Sequence, residues 1–265
     1  MLSLVGDGVL SLDTTARELL GEDLPLIADD VTVDHLLTHR SGIGDYLDEE
    51  VDALAPMTVP VQQLDSTPAY LAVLDGFPTK FRAGERFSYC NGAFVVLALI
   101  AERVSHTPFP ELVRQRVFVP AGMTASSMPR SDALPPSTAT GYKDDGRTNV
   151  FELPVQGSGD GGAHSTALDL HRFWLALTGG RMLSAELVAA ATAPVTPDTG
   201  DGVGYGRGIW LDDGDLVLSG GDHGVTAVSR HDPRTGTTVT GLANIEAPTF
   251  DRVKSLMAAL RDQPR

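Results

Sequence analysis

A phenol and a carboxamide stand two residues apart in this 265-residue chain, Tyr89 and Asn91, just ahead of a long apolar run. A tyrosine can take up or give back a proton, and an asparagine amide can both donate and accept hydrogen bonds. A phenol with a pKa near 10 is a weak base at neutral pH unless a nearby cation favours the phenolate. The competing structural readings are a half-buried tyrosine and an asparagine capping the apolar helix that follows it.

Other arrangements fail on their context. His35 and His39 stand at i, i+4, but no third ligand, His-Glu-x-x-His or Cys/His cluster accompanies them, so both are read as structural and no metal is expected. The single cysteine, Cys90, excludes an intramolecular disulfide. Gly157-Ser158-Gly159-Asp160-Gly161-Gly162 satisfies Gly-x-Gly-x-x-Gly, yet helix follows helix after it where a nucleotide-binding fold needs a parallel strand. A tight glycine turn explains it better, and no cofactor is expected. Neither a Gly-Lys-Ser/Thr loop nor a Gly-x-Ser-x-Gly elbow occurs.

The elements that must carry these residues follow from pattern and punctuation. Met1 to Gly8 has the character of a helix tail, and a short helix is predicted from about Asp13 to Leu20, ended by Gly21. Thr32 caps a helix from Val33 to Thr38 that stops at Arg40-Ser41-Gly42, and Thr67-Pro68 opens another to Leu74. Residues 48–65 are an acidic, proline-bearing excursion. Phe87 to Asn91 connect to a buried helix, Ala93 to Val104, and an amphipathic helix spans Phe109 to Phe118. Ser165 and Ser184 are the expected caps of helices reaching Leu177 and Thr192. Strands are expected at Tyr205–Leu211, Asp215–Leu218, Thr226–His231 and Thr237–Leu242, with a closing helix from Pro248 to Leu260. Helices first and an antiparallel sheet afterwards make an α+β arrangement: one unit over 1–265, with a mainly helical half at 10–155 and a sheet-containing half at 156–265.

Composition narrows the partners. Twenty Lys plus Arg against 35 Asp plus Glu give a formal charge of −15, which repels nucleic acid and anionic lipid. The longest apolar run, Ala93 to Ala101, is far short of the ~20 residues of a spanning helix. No basic stretch of a secretory signal opens the chain, so the sequence as written implies a cytoplasmic product, while a longer natural form could be secreted.

Three segments together carry a family resemblance. They are Val31-Thr32-Val33-Asp34-His35-Leu36-Leu37-Thr38-His39-Arg40-Ser41-Gly42-Ile43, then Gly84-Glu85-Arg86-Phe87-Ser88-Tyr89-Cys90-Asn91-Gly92, then Ser219-Gly220-Gly221-Asp222-His223-Gly224-Val225 between two strands. In this order and spacing the chain resembles the serine β-lactamase-related family, which includes class C β-lactamases, D-alanyl-D-alanine peptidases and esterases. The resemblance implies a β-lactamase/transpeptidase-like α/β fold and a serine hydrolase that cleaves an ester or amide (a β-lactam, a D-Ala peptide or a small ester) through an acyl-serine. It makes Tyr89 and Asn91 catalytic. Ser219, Gly220 and Gly221 line the substrate edge strand, where a backbone N–H joins the oxyanion hole. His39 and the Gly161-Gly162 turn stay structural within it.

Two departures qualify that expectation. In the third segment no Lys or His stands where the family usually has one, the best match placing Leu218-Ser219-Gly220 or Ser219-Gly220-Gly221 there, so recognition of a substrate carboxylate loses a cation or imidazole and a neutral ester or amide gains ground. The residues three before Lys80, Lys143 and Lys254 are Phe77, Thr140 and Asp251, so the chain holds no Ser-x-x-Lys. The resemblance places that motif about a dozen residues before Met1, with the first strands of the sheet further upstream. The chain as written is then expected to be inactive, fragile, and prone to homo-oligomerise through an exposed sheet edge. A start placed too late is one explanation. A truncated homologue that serves as a ligand-binding or protein-interaction remnant is the other.

Overall fold

The computed structural model describes residues 1–51, 57–200 and 202–261. The chain forms two compact units: residues 1–114, 128–132 and 154–162 make the first, and 115–127, 133–153 and 163–265 the second.

The first unit is helical: α1 (Leu2–Gly6), α2 (Ala16–Leu20), α3 (Val33–Leu37), α4 (Leu71–Leu74), α5 (Asn91–Ser105) and α6 (Phe109–Val113). Helix α2 starts later than the pattern predicts. Thr15 is its cap, its hydroxyl accepting the Glu18 N–H while the Glu18 carboxylate accepts the Thr15 N–H. Thr15 also bridges Thr32, the cap of α3, so two short helices begin side by side. The guanidinium of Arg17 then donates to four carbonyls, of Gly21, Asp23, Leu24 and Ile27, which closes the loop between them. All of this surrounds α5. Ala93 and Val95 through Ala101 are each at most 4% exposed. A helix apolar on every side is stable only inside a core, and Leu10, Leu20, Ile27, Val33 and Leu36 supply part of it. The predicted amphipathic helix at 109–118 is α-helical only to Val113 and continues as a π turn, Arg114–Phe118.

The second unit contains α7 (Val119–Ala121), α8 (Ala167–Thr178), α9 (Ala185–Thr192), α10 (Thr249–Arg261) and the strands β1 (Gly204–Tyr205), β2 (Trp210–Asp212), β3 (Asp215–Asp222), β4 (Val225–Asp232) and β5 (Thr237–Ala243). The strands form one antiparallel meander in sequence order. Alternation along β4 separates its two covers. Val228 packs with Val217, Val239, Val253 and Met257 under α10, whereas Ser229 points the other way and accepts the indole N–H of Trp174 on α8 at 2.9 Å. Arg230 is buried between Asp212, at 2.6 Å, and Asp215, at 3.0 Å, and Lys254 of α10 reaches Asp212 at 2.9 Å.

Three expectations change here. Thr166, not Ser165, caps α8 by accepting the Asp169 N–H; the Ser165 hydroxyl is hydrogen-bonded to Ser126 instead. The strand expected over Tyr205–Leu211 is two, because Gly206 approaches Ala191 O so closely that a Cβ would lie 2.2 Å from it. The strand beginning at Asp215 runs on to Asp222, so Ser219, Gly220 and Gly221 lie within β3 rather than between strands. Among the described residues no helix is long and apolar enough to cross a membrane.

Candidate active site

Tyr89 and Asn91 sit in the first unit, at the entrance to α5, and two remote residues fix their backbone. His39 is one. Its carbonyl accepts the Ser88 N–H at 2.9 Å and its Nδ1 accepts the Cys90 N–H at 3.1 Å. The ring is 1% exposed, and burial lowers its pKa to about 3 against a smaller upward pull from the Cys90 contact. A neutral imidazole that accepts at Nδ1 carries its proton on Nε2. The ring also lies 4.3 Å from that of Tyr89 and 4.9 Å from that of Phe94, centroid to centroid. His39 has φ +52°, and Gly42, at φ +67°, lies so close to Phe81 that a Cβ would be 2.1 Å from its carbonyl oxygen. The Arg40-Ser41-Gly42 turn thus brings His39 under the Tyr89 segment through backbone that L side chains rarely adopt.

Asp45 is the other. Its carboxylate accepts the N–H groups of Leu47 at 3.2 Å, Asn91 at 2.6 Å and Gly92 at 2.9 Å. Cys90 occupies the cap position of α5 without a side-chain bond, and Asn91 is the first helical residue. The capping expected of Asn91 is therefore done by a carboxylate 46 residues away, where negative charge meets the positive end of the helix. The sequence offered only an acidic residue after the Ser-Gly turn as a signal. Freed from capping, the Asn91 side chain donates from Nδ2 to Leu47 O at 3.1 Å and to Glu49 at 3.5 Å. Among the described residues no donor meets its Oδ1.

Charge around Tyr89 is of one sign. Burial first, then Glu49, Asp160 and Asp45, push its phenol up to about 12. Asp160, which also accepts the Tyr46 hydroxyl, belongs to the Gly157–Gly162 turn. That turn is a packing device, because a Cβ on Gly159 would lie 1.8 Å from Phe94 O on α5. Lys80 comes near this segment without serving it as a base. Its Nζ is 3.1 Å from the Ser88 hydroxyl, but Asp48 at 3.0 Å and Glu50 at 3.1 Å hold it. Burial alone would lower the Lys80 pKa, and its bonds to those carboxylates raise it instead, so the amine stays protonated. With Ser88 itself 4% exposed, the Ser88–Lys80 pair is an anchor for the segment rather than a nucleophile and its base.

Ser219, Gly220 and Gly221 lie in the second unit. Strand β2 pairs with β3 only from Asp215 to Val217, while β4 pairs with it from Leu216 to Asp222. From Leu218 to Asp222, therefore, one edge of β3 has no strand beside it among the described residues, and Ser219 to Asp222 are exposed. No heavy atom lies within 4 Å of a Cβ built on Gly220. The hairpin tip is braced by the 141–149 segment, Asn149 donating to His223 O at 2.8 Å and Tyr142 N–H to Gly224 O at 3.3 Å. A braced strand with a bare backbone edge is suited to main-chain pairing with an extended ligand. Among the described residues no group of three His, Cys, Asp or Glu is placed to hold a metal.

Comparison with known proteins completes the picture. The family model described as Beta-lactamase matches residues 1–262. The chain is similar to Penicillin-binding protein 4* of Bacillus subtilis, 28% identical over 198 residues, which cover 68% of this chain and 43% of that protein. It spans less than half the length of that relative and of a second B. subtilis protein, the putative penicillin-binding protein PbpX, of which 45% is covered. Among solved structures, the penicillin binding protein from Bacillus halodurans superposes with a TM-score of 0.89 at 35% identity, over 98% of this chain and 81% of that one. A D-stereospecific amidohydrolase from a Streptomyces species gives 0.79 at 25% identity, over 95% and 80%. The antiparallel sheet with its helices is thus the β-lactamase/transpeptidase-like fold, and with the family model matched along nearly the whole sequence, the chain belongs to the beta-lactamase family.

Proposed function

We propose that this chain is part of a serine hydrolase that cleaves an ester or amide through an acyl-serine, with Tyr89 managing the proton, Asn91 holding a substrate amide and the Ser219–Gly221 edge aligning the substrate. The observation that carries this reading is the double clamp on the Tyr89–Asn91 segment by His39 and Asp45. A loop fixed by a buried imidazole and a buried carboxylate holds its phenol to one place, which proton transfer in a transition state requires. The similarity to a D-stereospecific amidohydrolase and to D-aminopeptidases supports an amide substrate. The anionic surroundings of Tyr89 and the missing cation in the third segment argue against a substrate that must dock a carboxylate there.

The serine and lysine of the reaction are assigned to a Ser-x-x-Lys turn outside these 265 residues. At a pKa of about 12 only about one Tyr89 phenol in 10⁵ is ionised at neutral pH. Shifting it to neutrality takes roughly 7 kcal/mol, the scale of a cation placed beside it in a partly buried site. A lysine packed on the phenol is the group that supplies this, and the nucleophile then passes its proton to the phenolate as it attacks the carbonyl. The same observation favours a second reading for the 265 residues by themselves: a catalytically inactive homologue that binds a ligand.

The intact mass of the protein in its native cells and the hydrolysis of a chromogenic ester decide between them. A species several kilodaltons heavier than 28.0 kDa, active and silenced by Tyr89→Phe, supports the hydrolase. A native product of 28.0 kDa whose background turnover is unchanged by Tyr89→Phe supports the inactive homologue.

A further inference from the structure

Asn91 is followed by Gly92, and Asn-Gly is the dipeptide most prone to lose its side-chain amide, because glycine leaves the attacking backbone nitrogen uncrowded. The other two asparagines of the chain, Asn149 and Asn244, precede Val150 and Ile245, whose branched side chains shield that nitrogen. The reaction closes a ring within the chain. The deprotonated backbone nitrogen of Gly92 attacks Cγ of Asn91; an N–C bond forms, and the Cγ–Nδ2 bond breaks as ammonia leaves with the proton. Water then opens the five-membered imide at either carbonyl and leaves aspartate or isoaspartate. Carboxamide and water become carboxylate and ammonium, with nothing oxidised or reduced.

Each stage of this reaction meets an obstacle in the fold. Ring closure begins with deprotonation of Gly92, whose N–H is donated to Asp45 at 2.9 Å. A carboxylate at that distance disfavours the amidate anion, as it would any neighbouring negative charge. Gly92 is also buried, away from the water that would take the proton. The nitrogen must next swing onto Cγ, and Asn91, as the first residue of α5, has helical backbone that keeps it off. The second oxygen of Asp45 holds that backbone by accepting the Asn91 N–H at 2.6 Å. Finally, the leaving nitrogen Nδ2 is engaged by Leu47 O at 3.1 Å and by Glu49 at 3.5 Å. The same carboxylate also favours glycine at this position, since a Cβ on Gly92 would lie 3.2 Å from Asp45 Oδ1 and from Leu74 Cδ2. The contact that protects the pair is thus one reason the pair is Asn-Gly.

We propose that Asn91-Gly92 is a deamidation site kept latent by Asp45, so that loosening of the Asp45 clamp converts Asn91 into an acid. The change does not reverse. A carboxylate at 91 faces Leu47 O and Glu49, where Nδ2 now donates, and both contacts turn repulsive. In the isoaspartate product the main chain runs through the former side chain and is one methylene longer, which draws the Gly92 N–H off Asp45. A new anion also joins Glu49, Asp160 and Asp45 around Tyr89, whose phenol they already disfavour as phenolate. The site and its protection stand without the hydrolase reading, and only the cost to catalysis, loss of the amide that holds substrate, rests on it.

Peptide mapping of the folded 265-residue chain during incubation in mildly alkaline buffer tests it. The tryptic peptide Phe87–Arg103 holds Asn91 and no other asparagine, and its product differs by the mass of a carboxylic acid against a carboxamide. Folded wild type is expected to convert at least ~100-fold more slowly than the same chain unfolded in urea, and Asp45→Ala at least ~10-fold faster than folded wild type. Leu20→Ala supplies the control for stability alone. It truncates a 2% exposed core residue of the same unit, away from the clamp, and is expected to convert several-fold more slowly than Asp45→Ala while both are folded. If Asp45→Ala does not fold, Asp45→Asn takes its place, and the loss of charge is still expected to raise the rate above wild type. Folded wild type converting as fast as the unfolded chain overturns the proposal. So does an Asp45 variant no faster than wild type, or a Leu20→Ala rate equal to that of Asp45→Ala. Failure of the hydrolase reading shows in ester turnover and leaves these rates unchanged.

Discussion

The imidazole of His39 packs against Tyr89 with their ring centroids 4.3 Å apart and their planes tilted by 39°, while its Nδ1 accepts the N–H of the very next residue, Cys90. One buried side chain thus touches the phenol and fixes the backbone on which the phenol is carried. The lysine of the first segment's surroundings, Lys80, adds a third hold through Ser88.

His39 makes stability depend on pH in a stated direction. Its folded pKa is about 3, below the ~6.5 of an unfolded histidine, so between these values the unfolded chain binds a proton that the folded chain does not. The contribution is complete above pH ~6.5 and is lost as pH falls, by about 1.4 kcal/mol per unit within the window. Urea unfolding at pH 7, 5.5 and 4.5 should show wild type losing stability more steeply than His39→Gln. Parallel slopes for the two proteins would contradict a neutral, buried His39.

Asp45→Ala should destabilise the first unit by about 3 kcal/mol, since it strands three backbone N–H groups, two of them at the start of α5. Asp45→Asn keeps an acceptor and should cost less. Thermal unfolding ranks the three proteins, and an alanine variant as stable as wild type removes Asp45 from its capping role.

Tyr89 should not titrate below pH 11. Carbon NMR of ring-labelled tyrosine, assigned by the signal missing in Tyr89→Phe, follows it directly. Glu49→Gln or Asp160→Asn removes an anion that disfavours the phenolate, so each should lower the pKa, while burial keeps it above 10. A value that rises in either variant would place the charge elsewhere.

Gly220→Ala separates folding from binding. A Cβ at this position has nothing within 4 Å, so stability should change by less than about 1 kcal/mol. The methyl group nevertheless stands on the bare stretch of β3, where an extended ligand would approach, and saturation-transfer NMR with an amino-acid amide should show weaker binding. Unchanged binding would move the ligand away from the Ser219–Gly221 edge.

How much of this was legible in the sequence depended on the range of the interactions involved. Helix starts marked by a local cap were placed well: Thr32 bonds the N–H of His35, and Ser184 that of Leu187, three residues on. The all-apolar stretch of α5 announced its own burial, because such a stretch has no other stable setting in water. The pairing of Tyr89 with Asn91 was also visible, as a spacing in a resembling family. Cross-chain contacts were not. Asp45 caps a helix 46 residues away and His39 grips a backbone N–H 51 residues away, and neither separation leaves a periodic or capping signature. Ser165 and Thr166 are both good caps by type, and only the hydroxyl of Ser126 across the fold decided between them. Where β3 ended was likewise a tertiary matter. Ser219-Gly220-Gly221 has poor intrinsic strand preference, and the ladder with Val225–Ser229 carries the strand through it. Residue types and their short-range order therefore determined the family, the helices and the chemistry on offer. The surroundings of each group, and with them the phenol's pKa, the helix cap and the length of β3, came from long-range packing, because burial and charge act through space rather than along the chain.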